Sequence, residues 1–583
     1  MSRPATWYLS RARAMSGREL AWRASQGVRR RVVRRQPDLR EIDWHGGRWP
    51  TFLRGLAVDV DHDAKRIAAG ELCYWGRSTT IDPIAPPWEH GTLAWARDPK
   101  CRWELRRHQH LFPLAAGGHG RLCIAQMLDW LARRPPADEG AAAAYEAAHR
   151  VVTWSWALPF AAAEATPAEL ARISAALVSD ASLSRERPSL YSSANNHRLA
   201  ELAGLLALEA LTDGAHWNDV WRAFEREVVR QTFPDGGSRE QAAGYLLYVL
   251  EIVWVAGLYA HAVGQDLGRV GDRTEASLQW LDAVAGADGE PPPFGDDAED
   301  RFIRVDYFQP RRASLTGARL RTLLDGDPHL QPSYAASARE ASCVLADSGY
   351  VVMRDGPVRL VVDVGPLGFG SLAAHGHADA LSITLDAGDE TLLRDSGTGT
   401  YVAADGRDAF RVSAAHNTVT VDGRSQAQPL GPHLWGRRFT TTVHAVELGD
   451  AVDYVRASHD GYRPNATHTR AVTFLKPDLI VVLDRVTADA ARTVELHWQT
   501  MPGRAFGGVV VARPHATRRD GEAPFSPRYT WIESAPRTTF SARGRDVVFA
   551  TVLSLTGTPD VDLSHDGTTT TVDIGERRLA ERW

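Results

Sequence analysis

The sequence predicts an α+β multidomain chain: a stacked or toroidal array of helices first, then an antiparallel β-sandwich. Three observations predict this. From about Trp95 to Leu324 apolar residues recur at helical spacing and strand signals are nearly absent. From about Ala341 the spacing switches to two, in many short β-branched runs separated by turn residues. Between the halves, over 325–340, Pro, Ser, Asp and Gly thicken and mark a boundary. At 583 residues the chain is too long for one core.

In order, residues 1–40 form a basic segment. Its first 35 residues are Arg-rich with Trp7, Leu9, Leu20 and Trp22 among the apolar positions, which predicts an amphipathic helix docked on the body of the protein. The helical domain is expected over 41–330. It opens with a Trp- and Pro-bearing stretch, 42–92, whose short irregular runs suggest a lid or strap. Helices are then expected over 122–133, 141–163, 167–179, 196–211, 217–231, 239–263 and 274–284. Thr166-Pro167-Ala168-Glu169 has the form of a helix start, with a capping hydroxyl, Pro at the first position and Glu at the third. Short loops between many helices imply antiparallel neighbours. The sandwich is expected over 341–583, with strands at 350–353, 358–364, 380–385, 419–421, 439–446, 468–474, 479–483, 493–498 and 547–555.

The net charge of -5 does not point to nucleic acid as a partner. No segment reads as the uninterrupted apolar run of a membrane helix, and the N-terminus lacks a secretory hydrophobic region, so a cytoplasmic location is expected. The 4 Cys (Cys73, Cys101, Cys123 and Cys343) are widely spaced without a CxxC, as expected of reduced, buried thiols. The 19 Trp suit both large cores and flat platforms for sugar rings.

Chemistry concentrates in 371–401. His375-Gly376-His377 can present two imidazoles to one small volume, and a hairpin turning at Gly388-Asp389 would bring Asp395 back beside them. His416 arrives at the mouth of another β-branched run. His, Asp and His on strand ends suit a divalent metal, Zn first by ligand type, leaving one His for acid–base work. In the helical half, Asn195-Asn196-His197-Arg198 opens a helix, and capping needs one such residue rather than a cluster. Tyr245 sits near the start of the helix after Phe233-Pro234-Asp235-Gly236-Gly237, and Gly295-Asp296-Asp297 closes a tight acidic loop.

The order of these motifs resembles the heparinase II/III superfamily of polysaccharide lyases. The matching residues are Trp103-Glu104-Leu105 with Arg107, Asn195-Asn196-His197, Glu240 followed by Tyr245, Gly295-Asp296, His375-Gly376-His377-Ala378-Asp379, and His416-Asn417-Thr418 leading to Val421-Asp422-Gly423. The resemblance spans about 95–426. It implies an incomplete (α/α) toroid joined to an antiparallel β-sandwich. It also implies that Asn196 binds the substrate carboxylate, with His197 as the alternative, and that Tyr245 and His375 are catalytic. Asn195, His197, Arg107 and Glu240 would line the substrate, and His377, Asp395 and His416 would hold a divalent metal, Zn, with a structural role. The substrate implied is an acidic, uronate-containing glycan.

Cleavage by such an enzyme removes the proton on C5 of the uronate and expels the O4 substituent. The adjacent carboxylate opposes the negative charge that develops, so preorganised donors must stabilise an enolate-like intermediate; an Asn amide or a protonated His can do this. A base must reach C5 and an acid O4. Tyr ionises near pH 10, so as a base it would need a cationic neighbourhood. Tyr245 could serve as both groups, or His375 could take the proton and Tyr245 return one. The competing classes are a metal-dependent glycan hydrolase and a glycan-binding protein without catalysis.

Overall fold

The structure is a computed structural model and describes residues 5–32, 41–56, 60–88, 100–133, 141–329 and 341–583. The chain is an incomplete (α/α) toroid followed by antiparallel β-sheets. Helices Asn196–Leu211 and Trp217–Gln231 have the bounds their periodicity predicts. Trp217–Gln231 shows the difference between outer and inner positions, burying Val220, Trp221, Phe224 and Val228 and exposing its polar face. Asn196–Leu211 is buried nearly throughout and packs against Ala141–Ala161, Trp217–Gln231 and Ala243–Val263. At Thr166 the capping box forms, the Glu169 N–H donating to Thr166 Oγ1 at 3.3 Å and the Thr166 N–H to Glu169 Oε2 at 2.9 Å.

Several expectations are corrected. Ala243–Val263 is long and apolar enough to cross a membrane, against the expectation that no segment is. Its apolarity has another cause: this inner helix is buried on all sides, so every face is hydrophobic. It also begins four residues later than predicted. Gln241 adopts φ 53° and its side chain is held in the sandwich, Nε2 donating to the Ser348 carbonyl at 3.0 Å and Oε1 accepting from Tyr350 Oη at 2.9 Å. The described part of the 42–92 stretch, expected as an irregular lid or strap, forms helices Arg48–Arg54 and Asp61–Ala68 and a hairpin, Glu71–Tyr74 with Arg77–Thr80. Trp49 is fully buried there, and its indole donates to the Ser155 carbonyl at 2.9 Å, anchoring the stretch in the toroid core. Residues 95–99, expected to start a helix, and most of the boundary stretch, 330–340, lie outside the described residues.

In the second half, five strands from Cys343–Leu345 to Glu390–Leu393 pair in sequence order. They face an eight-stranded sheet in which Leu479–Gln499 and Trp531–Ser554 are the long central strands. The core between the sheets includes Val351, Leu360, Val362, Leu385, Val472, Val482, Leu496 and Phe549. The runs predicted separately at 479–483 and 493–498 are one strand, because its polar middle is only a register shift after Thr487. A final three-stranded sheet covers the outer face through Leu563, Val572 and Ile574. Cys73 and Cys123 are buried thiols, and Cys343 is only half-buried.

Candidate active site at the junction of toroid and sandwich

Residues from both halves meet around Asp296. This carboxylate accepts from His375 Nδ1 at 3.0 Å, His377 Nε2 at 3.0 Å and the Arg407 guanidinium at 2.6 Å. Burial pushes its carboxyl up, but Arg407 and the two imidazoles outweigh this and hold it well below the usual carboxylate range. Its N–H also donates to the His375 carbonyl at 2.8 Å. The Gly between the two His has a steric cause: a Cβ on Gly376 would lie 1.6 Å from the Leu367 carbonyl oxygen.

The face of His375 lies on Tyr245, ring centroids 3.7 Å apart. Tyr245 is in the first turn of the inner helix Ala243–Val263, whose start is tied to the acidic loop by the Ala243 N–H donating to the Phe294 carbonyl at 3.0 Å. Its hydroxyl is 3.0 Å from that of Tyr401. Burial, then the carboxylates Asp300 and Asp296, push the phenol well above its usual range. The cationic neighbourhood that would favour a phenolate is therefore not what surrounds it.

Asn195 is the N-cap of Asn196–Leu211, its side chain accepting the His197 N–H at 3.2 Å. Asn196 is 1% exposed. Its Nδ2 donates to Glu240 Oε1 and Oε2 at 3.2 and 3.4 Å, and its backbone N–H donates to Oε1 at 3.2 Å. Glu240 also lies 3.6 Å from His375 Nε2. Asn196, Glu240, His375 and Tyr245 thus form one contiguous cluster.

Two expected substrate residues are engaged with neighbouring side chains. Arg107 is 1% exposed and enclosed by Glu104, by Asp300 Oδ1 at 3.0 Å and by the Tyr145 ring at 5.1 Å. It braces the toroid floor and is no open cation for a glycan. His197 stacks on Tyr145 at 4.1 Å, and burial, then the charges of His375 and Arg107, lower its imidazole to about 3. Both effects favour its neutral imidazole.

The metal-ligand chemistry gathers next to this cluster. His377 Nδ1 and His416 Nε2 are buried without a hydrogen-bond partner among the described residues. His377, Asp379 and His416 each offer a ligand atom, all within 4.8 Å of one another. Two imidazoles, a carboxylate and unsatisfied buried ring nitrogens fit a divalent ion. Asp395, expected as a ligand, accepts from His416 Nδ1 at 2.8 Å, the position of a residue that orients a metal-binding His. The hairpin Ile383–Ala387 with Glu390–Leu393 does return Asp395 to this region, but it meets His416 rather than His377.

Sequence reasoning assigned no role to Asp296, Tyr401, Arg407 or His433. Asp296 stood in a quoted motif and Tyr401 closed the His-rich stretch, so both carried a signal. Arg407 and His433, the latter 5.7 Å from His375 ring to ring, carried none.

A helical toroid joined to a β-sandwich, with His, Tyr, Asn and carboxylates at the joint, defines the class. The family model described as "Heparinase II/III-like, C-terminal" matches residues 338–564, which make up most of the sandwich half. Heparin-sulfate lyase of Pedobacter heparinus is 22% identical over 331 residues, covering 53% of this chain and 47% of that protein. The match thus spans about half the length of this curated relative. The solved structure of heparinase III superposes with a TM-score of 0.69 at 14% identity, covering 96% of this chain and 94% of that one. A heparan sulfate lyase mutant from Pedobacter heparinus superposes with a TM-score of 0.60 at 16% identity, covering 99% and 95%. The chain has the heparinase III fold along nearly its whole length.

Proposed function

We propose that this protein is a polysaccharide lyase that cleaves an acidic, uronate-containing glycan by β-elimination, leaving a 4,5-unsaturated uronate. The observation that carries the reading is the Tyr245–His375 stack beside Asn196. The relatives named above are lyases of heparin or heparan sulfate, which makes a uronate polymer the substrate class to test first.

The geometry supports the following roles. Asp296 accepts from His375 Nδ1, and Nε2 is the nitrogen assigned to take the C5 proton. Tyr245, kept protonated by burial and two carboxylates, donates to the departing O4. Glu240 holds the Asn196 amide in place, and that amide is the donor assigned to the substrate carboxylate as the enolate develops. His377, Asp379 and His416 would hold a divalent ion, Zn by ligand type, with Asp395 orienting His416. Bound there, the ion supplies positive charge and cross-links two loops of the sandwich beside the site.

The test is incubation with heparan sulfate, hyaluronan, chondroitin and alginate, followed in the ultraviolet. New absorbance from unsaturated ends is expected. Reducing ends without it would establish a hydrolase, and binding without cleavage a glycan-binding protein.

A further inference from the structure

The basic N-terminal segment lies across the two walls of the candidate site. Its helices are Ala5–Arg13 and Gly17–Val32. On the toroid side, Arg11 donates to Ser192 Oγ at 3.0 Å, Arg23 donates to Ser193 Oγ at 3.1 Å, and Trp22 meets Tyr191 with ring centroids 5.7 Å apart. This turn runs directly into the Asn195 cap and Asn196. Glu19, the only acid of the first 35 residues, is buried and binds Arg23 at 2.8 Å. On the sandwich side, Ala5–Arg13 lies against Pro429–Gly431, just before His433, whose ring faces His375.

Arg11 and Arg23 fasten the helices. Arg13 and Arg18 are solvent-exposed and make no ion pair with a described residue. Ten Arg against one Glu in the first 35 residues of a chain whose net charge is -5 is a strong local asymmetry. We infer that this helix pair is an exosite for the polyanionic glycan, with Arg13 and Arg18 holding a carboxylated chain that extends beyond the cleavage site. The inference rests on the site's being one for an acidic glycan. Charge complementarity names the occupant, and the helices that carry these cations touch residues flanking the site on both halves. Tyr8, Leu9 and Leu20 are also exposed on these helices, so an anionic membrane is the rival outcome of the test.

The experiment measures binding separately from cleavage. Fluorescein-labelled heparan sulfate and alginate are titrated into the full chain carrying Tyr245→Phe, with and without Arg13→Glu and Arg18→Glu. The double charge reversal is expected to weaken binding by about tenfold at low salt, with the difference closing toward unity near about 0.5 M salt as the charges are screened. In the otherwise unaltered enzyme it should raise KM for the polymer and leave kcat on a uronate tetrasaccharide unchanged. Equal affinity with and without the reversal would overturn the inference, as would failure of the unreversed chain to bind either polymer. Loss of binding to phosphatidylglycerol–phosphatidylcholine vesicles with polymer binding intact would overturn it in favour of a membrane. The lyase reading fails on a different readout, the absence of ultraviolet absorbance, whatever the affinities.

Discussion

The rings of Tyr245 and His375 stack with centroids 3.7 Å apart and planes inclined by 22°, one from the toroid and the other from the sandwich. Neither half holds the pair alone, so the proposed acid and base exist together only while the two halves stay in register. Glu240 and Asp296 serve the same junction, each reaching a residue of the opposite half.

Tyr245→Phe separates a catalytic hydroxyl from a packed ring. The ring and its stack on His375 remain, and the bond to Tyr401 is lost, costing about 1–2 kcal/mol in stability. Turnover should fall by about a hundredfold or more if this hydroxyl donates the proton. A Tyr245→Phe enzyme with near-normal kcat on its substrate would remove the mechanism proposed here.

Asn196→Ala should leave a folded protein with kcat reduced by about a hundredfold, the scale of losing one preorganised donor. Glu240→Gln keeps a hydrogen-bond acceptor for the Asn196 amide, so it should retain more activity than Asn196→Ala. Comparing kcat for the two variants at matched folding, checked by circular dichroism, tests this order.

For the metal cluster, His377→Ala and His416→Ala should each lose the bound ion by elemental analysis, together with a lower Tm. Asp395→Asn should retain the ion with affinity weakened by about 10–100-fold, as expected of a residue that orients a ligand. Unchanged metal content and Tm in His377→Ala would contradict the assignment.

Acid should destabilise the toroid before most carboxylates titrate. Burial lowers the His110 imidazole to about 4, and its only hydrogen-bond partner among the described residues is Gln126, at 2.8 Å. His108 and His149 are shifted in the same direction by burial and then by a neighbouring Arg. Unfolded His binds its proton near pH 6.5, so between about pH 6.5 and 4 the unfolded chain holds more protons and stability falls as pH falls. For His110 alone the loss approaches roughly 3 kcal/mol near pH 4. Tm should decline from about pH 7 to 5, less steeply in His110→Gln. Parallel curves for the two proteins would remove His110 as a contributor.

What the sequence determined by itself was whatever local rules express. The change from helical to twofold periodicity near 341 names both halves. Apolar residues recurring along one helix face decide bounds such as Trp217–Gln231, and the Thr166 box decides a helix start. His375-Gly376-His377 announced a site because a Gly between two His serves no repeating structure. The tertiary structure decided what depends on partners distant in sequence. It turned Arg107 inward because Glu104 and Asp300 meet it there. It put Asp379 rather than Asp395 among the converging ligand atoms, since Asp395 meets the far side of the His416 ring. It kept Tyr245 protonated, because an inner helix buries the phenol and two carboxylates from the 291–300 loop stand near it. Charge state and contact across a junction depend on distances that no spacing within the chain encodes.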